Sequence, residues 1–167
     1  MYDELTEVDI QKMKEEVAYR VQVLRPKLIE DVQVARGFGD LSENFEYKCA
    51  KQEKNRNESR IRYLERMIRT AKVISADSGA AEVGLFDKVT IFNEMLNKEM
   101  TIQIVTTLRQ DALKGLISKE SPVGKAVLGH QVGDRVQVVV RDDLKYFVVI
   151  RSIEKGEDDA SMAISSY

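Results

Sequence analysis

The segment RGFGDLSENFEYKCA, residues 36–50, separates two long stretches of helical periodicity. Gly37 and Gly39 lie within three residues of each other, which interrupts a helix and supplies the positive φ angles of a tight reversal. Apolar residues recur every three or four positions through residues 10–35, and the same spacing reappears after the glycines. The sequence therefore predicts an antiparallel coiled-coil hairpin with its tip at residues 37–47.

Local signals predict how the two helices of the hairpin begin and pack. Thr6, with Asp9 three residues later, is typical of a helix start, and Pro26 should kink this helix without ending it because the apolar register continues on both sides. The second helix is expected to begin near Asp40. Its predicted apolar seam is Leu41, Phe45 and Cys49 at the start and Ile61, Leu64, Ile68 and Ala71 at the end. Residues 51–60 contain no apolar side chain, so helix propensity and charge pairs must hold the middle together.

The carboxylates of the tip allow two interpretations. Asp40 as an N-cap and Glu43 as its reciprocal partner would form a capping box, which needs no function. Alternatively, Asp40, Glu43 and Glu46 beside the amide of Asn44 form an acidic cluster of the oxygen donors that Mg²⁺ prefers. The spacing is not that of a complete cation-binding loop, so we expect the cluster to complete a site that another macromolecule partly provides. The apolar residues grouped at the same turn favour a binding tip: Phe38, Leu41 and Phe45.

Charge is distributed unevenly along the chain, although the net charge is only −2. Residues 1–47 hold 6 basic and 11 acidic side chains, whereas residues 48–72 hold 9 basic and 3 acidic ones. Such a basic run is most often a solvated face, but it also suits contacts with nucleic-acid phosphates or a polar channel wall.

After Asp77-Ser78-Gly79, which marks a linker, the apolar period becomes that of strands. Short β-branched and aromatic runs predict four strands: residues 88–92, 100–105, 135–140 and 146–153. Ser121 and Pro122 predict the cap and first position of a short helix ending at Gly129. We therefore expect an α+β protein in which residues 1–76 form the hairpin and residues 77–167 a small antiparallel β-rich domain whose acidic tail, from Gly156, frays.

Composition excludes several classes of protein. One cysteine, Cys49, and one histidine, His130, leave no internal disulfide and make the usual zinc sites implausible. We interpret Cys49 as a small buried residue that faces the other helix. The acidic start carries no signal peptide, and no apolar run approaches the roughly 20 residues of a membrane span, so we expect a cytoplasmic protein.

Two motifs resemble those of the bacterial Gre transcript cleavage factors, with the GreA type nearer than GreB. The first is ARGFGDLSENFEY at residues 35–47, and the second is LISKESPVGKAVLG at residues 116–129, followed by Val132-Gly133-Asp134. The resemblance covers nearly the whole chain. It implies an N-terminal coiled coil and a C-terminal domain of FKBP-like fold that docks on RNA polymerase.

The resemblance also implies a function and its residues. The coiled coil would enter the secondary channel of bacterial RNA polymerase and stimulate cleavage of backtracked nascent RNA near its 3′ end. The protein would be an accessory factor, not an enzyme, of a DNA-binding transcription complex, and we expect a monomer. Asp40 and Glu43 match the essential acids and would share Mg²⁺ with the polymerase active site, while the isolated chain holds no cofactor.

Other positions receive supporting roles from the same resemblance. Asn44, Glu46 and Tyr47 would support the tip, although hydrogen bonding and packing within the hairpin explain Asn44 and Tyr47 equally well. RNA or channel contacts are expected from a basic set: Arg36, Lys48, Lys51, Lys54 and Arg56. Polymerase docking is expected from the loop Glu120, Ser121 and Pro122, which can also be a plain helix cap.

The chain departs from the family pattern at several places. Asp9 replaces the glycine of the first helix start, Gly37 replaces a bulkier residue, and polar residues occupy positions 56, 57 and 59. Two alternatives therefore remain: a Gre-like channel regulator without cleavage activity, and an FKBP-type isomerase or chaperone. The acid pair opposes the first, and the few aromatic residues of the C-terminal half oppose the second.

Overall fold

The computed structural model describes residues 3–39 and 44–165, which belong to two compact units. One unit comprises residues 10–71, and the other combines the residues up to Asp9 with those from Lys72 onward. The sequence prediction placed this division after residue 76 and assigned the first residues to the hairpin. The difference arises because strand β1 (Glu4–Leu5) pairs in parallel with β2 (Lys72–Val73), which ties the start of the chain to the second unit.

The helices of the first unit form the expected hairpin. Helix α1 (Glu7–Tyr19) continues through a π-helical turn, Arg20–Leu24, into α2 (Arg25–Arg36), and α3 (Phe45–Thr70) returns. The π-helical turn lies just before Pro26, where the sequence predicts a kink, and in it the N–H of Arg25 donates to the carbonyl of Arg20, five residues earlier. A π turn accommodates the missing N–H of a proline without ending the helix.

Apolar side chains fill the two ends of the hairpin seam, whereas polar side chains fill its middle. The buried apolar residues are Met13, Val32, Ala35, Ile61, Leu64 and Met67. Between them, Asn57 and Arg60 are also buried. Arg20 donates to Asn57 Oδ1 over 3.0 Å, and Asn57 Nδ2 returns a hydrogen bond of 3.3 Å to the Arg20 carbonyl. The prediction that charge pairs hold the middle is confirmed.

Three ion pairs, two of them to Glu16, complete this polar middle. Glu16 accepts hydrogen bonds from Arg60 Nε at 2.7 Å and from Arg20 Nε at 2.9 Å. Burial alone would raise the pKa of Glu16, but these two guanidinium groups outweigh it and hold the pKa below its usual value. Arg25 donates two hydrogen bonds, of 2.7 and 3.0 Å, to the Glu58 carboxylate and lowers the pKa of that carboxyl.

The second unit is built on a five-stranded sheet in the order β5-β4-β3-β7-β6. The strands are β3 (Lys88–Asn93), β4 (Lys98–Val105), β5 (Leu116–Ser118), β6 (Arg135–Arg141) and β7 (Leu144–Glu154), and the short helix α4 is Pro122–Val127. The four predicted strands and the helix are all present, and the α+β class is confirmed.

The sheet is mixed, whereas the sequence predicts a wholly antiparallel one. Strand β5, which the sequence analysis missed, pairs in parallel with β4. The chain reaches β5 through short 3-10 turns and then Gly115, whose φ of 75° only glycine adopts freely. Three residues are too few for a visible period, which explains the omission.

One face of the sheet carries the core of the second unit. Alternate residues of the strands are buried there with Val83, Leu85, Phe86 and Val127. The alternation of buried and exposed positions in β3 and β6 is the pattern of strands with one covered face.

A buried arginine organises the rest of the second unit. The side chain of Arg109 is fully buried, and its guanidinium donates to Asp9 at 2.5 Å and to Asp158. It also lies 4.7 Å from the ring centre of Phe86. Asp9 in turn accepts from the N–H of Thr6, whose Oγ1 accepts from the Asp9 N–H, so the predicted helix start at Thr6 is confirmed.

The acidic C-terminal tail is ordered where the structure describes it, so the expectation that it frays is wrong. Besides the Asp158 pair, Ser165 donates from both N–H and hydroxyl to the carbonyl of Leu108. The N–H of Gly156 donates to Asp87 at 2.9 Å. Sequence reasoning weighed only the polarity of the tail and could not see that Arg109 requires a second carboxylate.

Candidate functional site at the hairpin tip

The described part of the turn begins where α2 ends. Gly37 closes α2 with φ −70°, and its N–H donates to the carbonyl of Val34 at 3.0 Å. Gly39 has φ 128°, a conformation that side chains rarely allow. Of the two glycines predicted to supply positive φ angles, Gly39 alone does so.

Asn44 joins the two helices at the tip. Its Oδ1 accepts from the N–H of Tyr47 at 3.0 Å, which makes it the N-cap of α3, and its Nδ2 donates to the carbonyl of Ala35 at 2.6 Å. The prediction that Asp40 caps this helix is therefore wrong, because the helix begins five residues later at Phe45. Asparagine is among the best N-cap residues, but aspartate is equally good, so this signal by itself does not choose between Asn44 and Asp40.

The proposed catalytic pair, Asp40 and Glu43, lies outside the described residues, as does Leu41. In the sequence, both acids fall in the four-residue segment between Gly39 and Asn44 that connects α2 to α3. Glu46 is exposed in the first turn of α3, where the helix dipole favours a negative charge.

Within residues 3–39 and 44–165, no group of three acidic, histidine or cysteine side chains is placed to hold a metal ion. Asn44 Oδ1 is already occupied by the Tyr47 N–H, and Glu46 is the one carboxylate of the described tip. These two residues do not form a Mg²⁺ site by themselves.

The helical phase of α3 exposes two residues that were predicted to lie in the seam. Phe45 is 75% exposed, and Cys49 is exposed as well. The residues turned inward at this end are the half-buried Tyr47, Ala50 and Lys54. The buried face of α3 continues through Asn57, which is polar. A search for apolar periodicity does not count a buried asparagine, so it assigned the wrong face to this end of the helix.

Basic side chains surround Tyr47. The Arg36 guanidinium lies 5.6 Å and the Lys51 ammonium 6.0 Å from the centre of the Tyr47 ring, at the range of cation–π contacts. Of the predicted RNA-contacting residues, Arg36, Lys48, Lys51 and Arg56 are exposed and Lys54 is half-buried. Arg56 also pairs with Glu53 at 2.8 Å.

The predicted docking loop belongs to the second unit and is rigidly built. Ser121 Oγ accepts from the N–H of Gly124 at 3.0 Å and donates to the Ser118 carbonyl at 2.7 Å. A Cβ on Gly124 would meet that carbonyl at 2.2 Å, so glycine is required. Pro122 is exposed. The two carboxylate oxygens of Glu120 lie 3.7 Å from the ammonium nitrogens of Lys119 and Lys125, respectively.

No helix in the part of the chain that the structure describes is long and apolar enough to cross a membrane.

Two family models match the chain in succession. Residues 4–73 match the N-terminal domain of a transcription elongation factor, and residues 76–155 match the C-terminal domain of GreA/GreB elongation factors. The chain therefore belongs to the GreA/GreB family of transcription elongation factors, which confirms the resemblance found in its sequence.

Two relatives named GreA agree with this assignment. GreA of Bacillus licheniformis is 42% identical over 135 residues, covering 80% of this chain and 85% of the relative. GreA of Mesomycoplasma hyopneumoniae is 38% identical over 149 residues, covering 89% and 92%. Among solved structures, GreA factor homolog 1 of Thermus thermophilus is 25% identical, covers 93% of this chain and 100% of its own, and has a TM-score of 0.42. Both GreA relatives are named as transcription elongation factors.

Proposed function

We propose that this protein is a transcript cleavage factor that acts on RNA polymerase stalled with backtracked RNA. The observation that carries the proposal is the match of both family models, in order, to a chain that places two carboxylates in the segment connecting the hairpin helices. The hairpin enters the secondary channel of the polymerase. Its tip acids reach the active site and stimulate hydrolysis of the nascent RNA.

The tip residues divide the chemistry between them. Asp40 is the ligand that this chain contributes to a Mg²⁺ shared with the polymerase, and Glu43 orients or deprotonates the attacking water. A bound Mg²⁺ supplies charge stabilisation for the attacked phosphate. Asn44 keeps the helix ends together and so holds the connecting segment at its two sides.

The remaining sequence-predicted residues support binding. Basic side chains, exposed except for the half-buried Lys54, suit the phosphates of the extruded RNA or the wall of the channel: Arg36, Lys48, Lys51, Lys54 and Arg56. The capped edge at Glu120, Ser121 and Pro122 suits docking on the polymerase, because a loop fixed by its own hydrogen bonds loses little entropy on binding. We further propose that the protein acts as a monomer.

RNA cleavage in a backtracked elongation complex tests the proposal. Asp40→Ala and Glu43→Ala should each reduce the stimulated rate at least about 100-fold, as expected when a group that acts in the transition state is removed. Affinity for the polymerase should be retained. Glu30→Ala, an exposed acid of α2, is the matched control and should cleave like the parent.

Two outcomes would redirect the assignment. Parental cleavage by both tip variants would remove these acids from the chemistry. A parent that binds the polymerase and does not cleave would identify a regulator of the same channel.

A further inference from the structure

Two phenylalanine side chains are exposed to solvent at the hairpin tip. Phe38 is 66% exposed in the turn after α2, and Phe45 is 75% exposed at the first position of α3. They lie on either side of the connecting segment that carries Asp40 and Glu43 in the sequence. Neither ring contributes to the buried seam of the hairpin, so folding does not explain two large exposed rings at one turn.

The side chains around these rings indicate what they meet. In the sequence of residues 34–51 the basic side chains are Arg36, Lys48 and Lys51, and the acidic ones are Asp40, Glu43 and Glu46. The proposed function assigns Asp40 and Glu43 to the metal and the attacking water, which leaves the basic groups for phosphates. Tyr47 holds Arg36 and Lys51 against its ring at 5.6 and 6.0 Å. Basic groups interleaved with exposed aromatic rings are the combination that binds single-stranded nucleic acid, because cations attract phosphates while rings stack on bases.

We propose that Phe38 and Phe45 form a stacking platform for a nucleobase of the extruded single-stranded RNA. This inference rests on the proposed function, which brings such RNA to the tip. The rings hold the base while the acids between them in the sequence act on a phosphate of the same strand. Every base has a π face, so the platform does not depend on RNA sequence.

The chemistry of phenylalanine separates this role from those of its neighbours. Phe38 and Phe45 offer no hydrogen bond and no charge, so they bind neither the metal nor the phosphates. Their contribution is to position the RNA, and it should be lost when the base is absent. A contact between the same rings and the polymerase would not depend on the base.

The test compares backtracked elongation complexes whose extruded nucleotides carry bases with complexes whose extruded nucleotides are abasic. The variants are Phe38→Leu, Phe45→Leu and the double variant, which keep apolar bulk and remove the aromatic face. Tyr19→Leu is the matched control, because Tyr19 is 52% exposed on α1, about 28 Å along the helix from the turn. Cleavage rate and affinity of the factor are measured for each complex at subsaturating factor.

We expect the double variant to lose about fivefold or more in rate and affinity on RNA with bases, since stacking on one base has at least that effect. The parent should lose a similar factor on abasic RNA, where the double variant should lose nothing further. Tyr19→Leu should match the parent throughout.

If the double variant lost rate and affinity relative to the parent equally on both RNAs, the inference would be overturned in favour of a contact between the rings and the polymerase. If the double variant had the parent's rates and affinities on both RNAs, the inference would be overturned outright. Failure of the proposed function is distinguishable: the parent would then bind without cleaving. Affinity would still report whether the rings recognise a base.

Discussion

At the scale of single residues, Asn44 determines how the tip is built. It caps α3 and also bonds the last turn of α2 through the Ala35 carbonyl. Asn44→Ala should lower the free energy of unfolding by about 1–2 kcal/mol, because a cap and an interhelical hydrogen bond are lost together. Urea unfolding followed by helical circular dichroism measures the change. Asn55→Ala, an exposed position within α3, is the control and should stay within about 0.5 kcal/mol of the parent.

The same residue shows where sequence reasoning reaches its limit. Ser121 was identified as a cap because a proline follows it at the first helical position, and the structure places it there. At the tip, Asp40 and Asn44 were both acceptable N-caps, and propensity does not choose between them. The choice depends on the distance to the Ala35 carbonyl on another helix, a tertiary contact that no local pattern contains. An unfolding energy unchanged by Asn44→Ala would show that this contact contributes nothing.

At the scale of elements, the polar middle of the hairpin makes its stability depend on pH. The pKa of Glu16 is held below its ordinary value of 4.5 by Arg60 and Arg20 despite burial, so the carboxylate stabilises the folded state at neutral pH. This contribution is fully present above pH 4.5 and is lost as the pH falls through the lower folded-state pKa. Glu16→Gln should therefore cost about 1–3 kcal/mol at pH 7 and progressively less in acid.

Urea unfolding of the parent and of Glu16→Gln across pH 7 to 3 measures this difference. Glu15→Gln is the neighbouring control, since Glu15 is exposed on α1 and accepts a hydrogen bond from the side chain of Gln11. A difference between parent and Glu16→Gln that stays constant with pH would mean that the pair contributes through packing and not through charge.

Elements also differ in how much of them the sequence reveals. Strands β3, β4, β6 and β7 were predicted because each contains a short run rich in β-branched or aromatic residues. The seam of α3 was predicted correctly at Ile61 and Leu64 but wrongly at Phe45 and Cys49. The apolar pattern identifies the buried face of the helix where the buried residues are apolar. It does not identify that face where the buried residues are Asn57 and Arg60.

At the scale of the whole chain, the C-terminal tail is an integral part of the second unit. The family model of the C-terminal domain ends at residue 155, yet the ordered segment beyond it supplies Asp158 to the buried Arg109. Asp9, from the other end of the chain, supplies the second carboxylate. Three segments far apart in sequence thus depend on one guanidinium, and removing one partner leaves part of a buried charge uncompensated.

Asp158→Ala should therefore lower the free energy of unfolding of the second unit by about 1–3 kcal/mol, less than the full cost of breaking a buried pair because Asp9 remains. Hydrogen exchange of the whole 167-residue chain should show faster exchange in the tail, where the N–H of Ser165 is bonded to the Leu108 carbonyl. Asp142→Ala, in the exposed turn between β6 and β7, is the control and should leave both measurements unchanged. If the tail of Asp158→Ala kept parental protection, its order would depend on the Ser165 and Gly156 hydrogen bonds and not on Arg109.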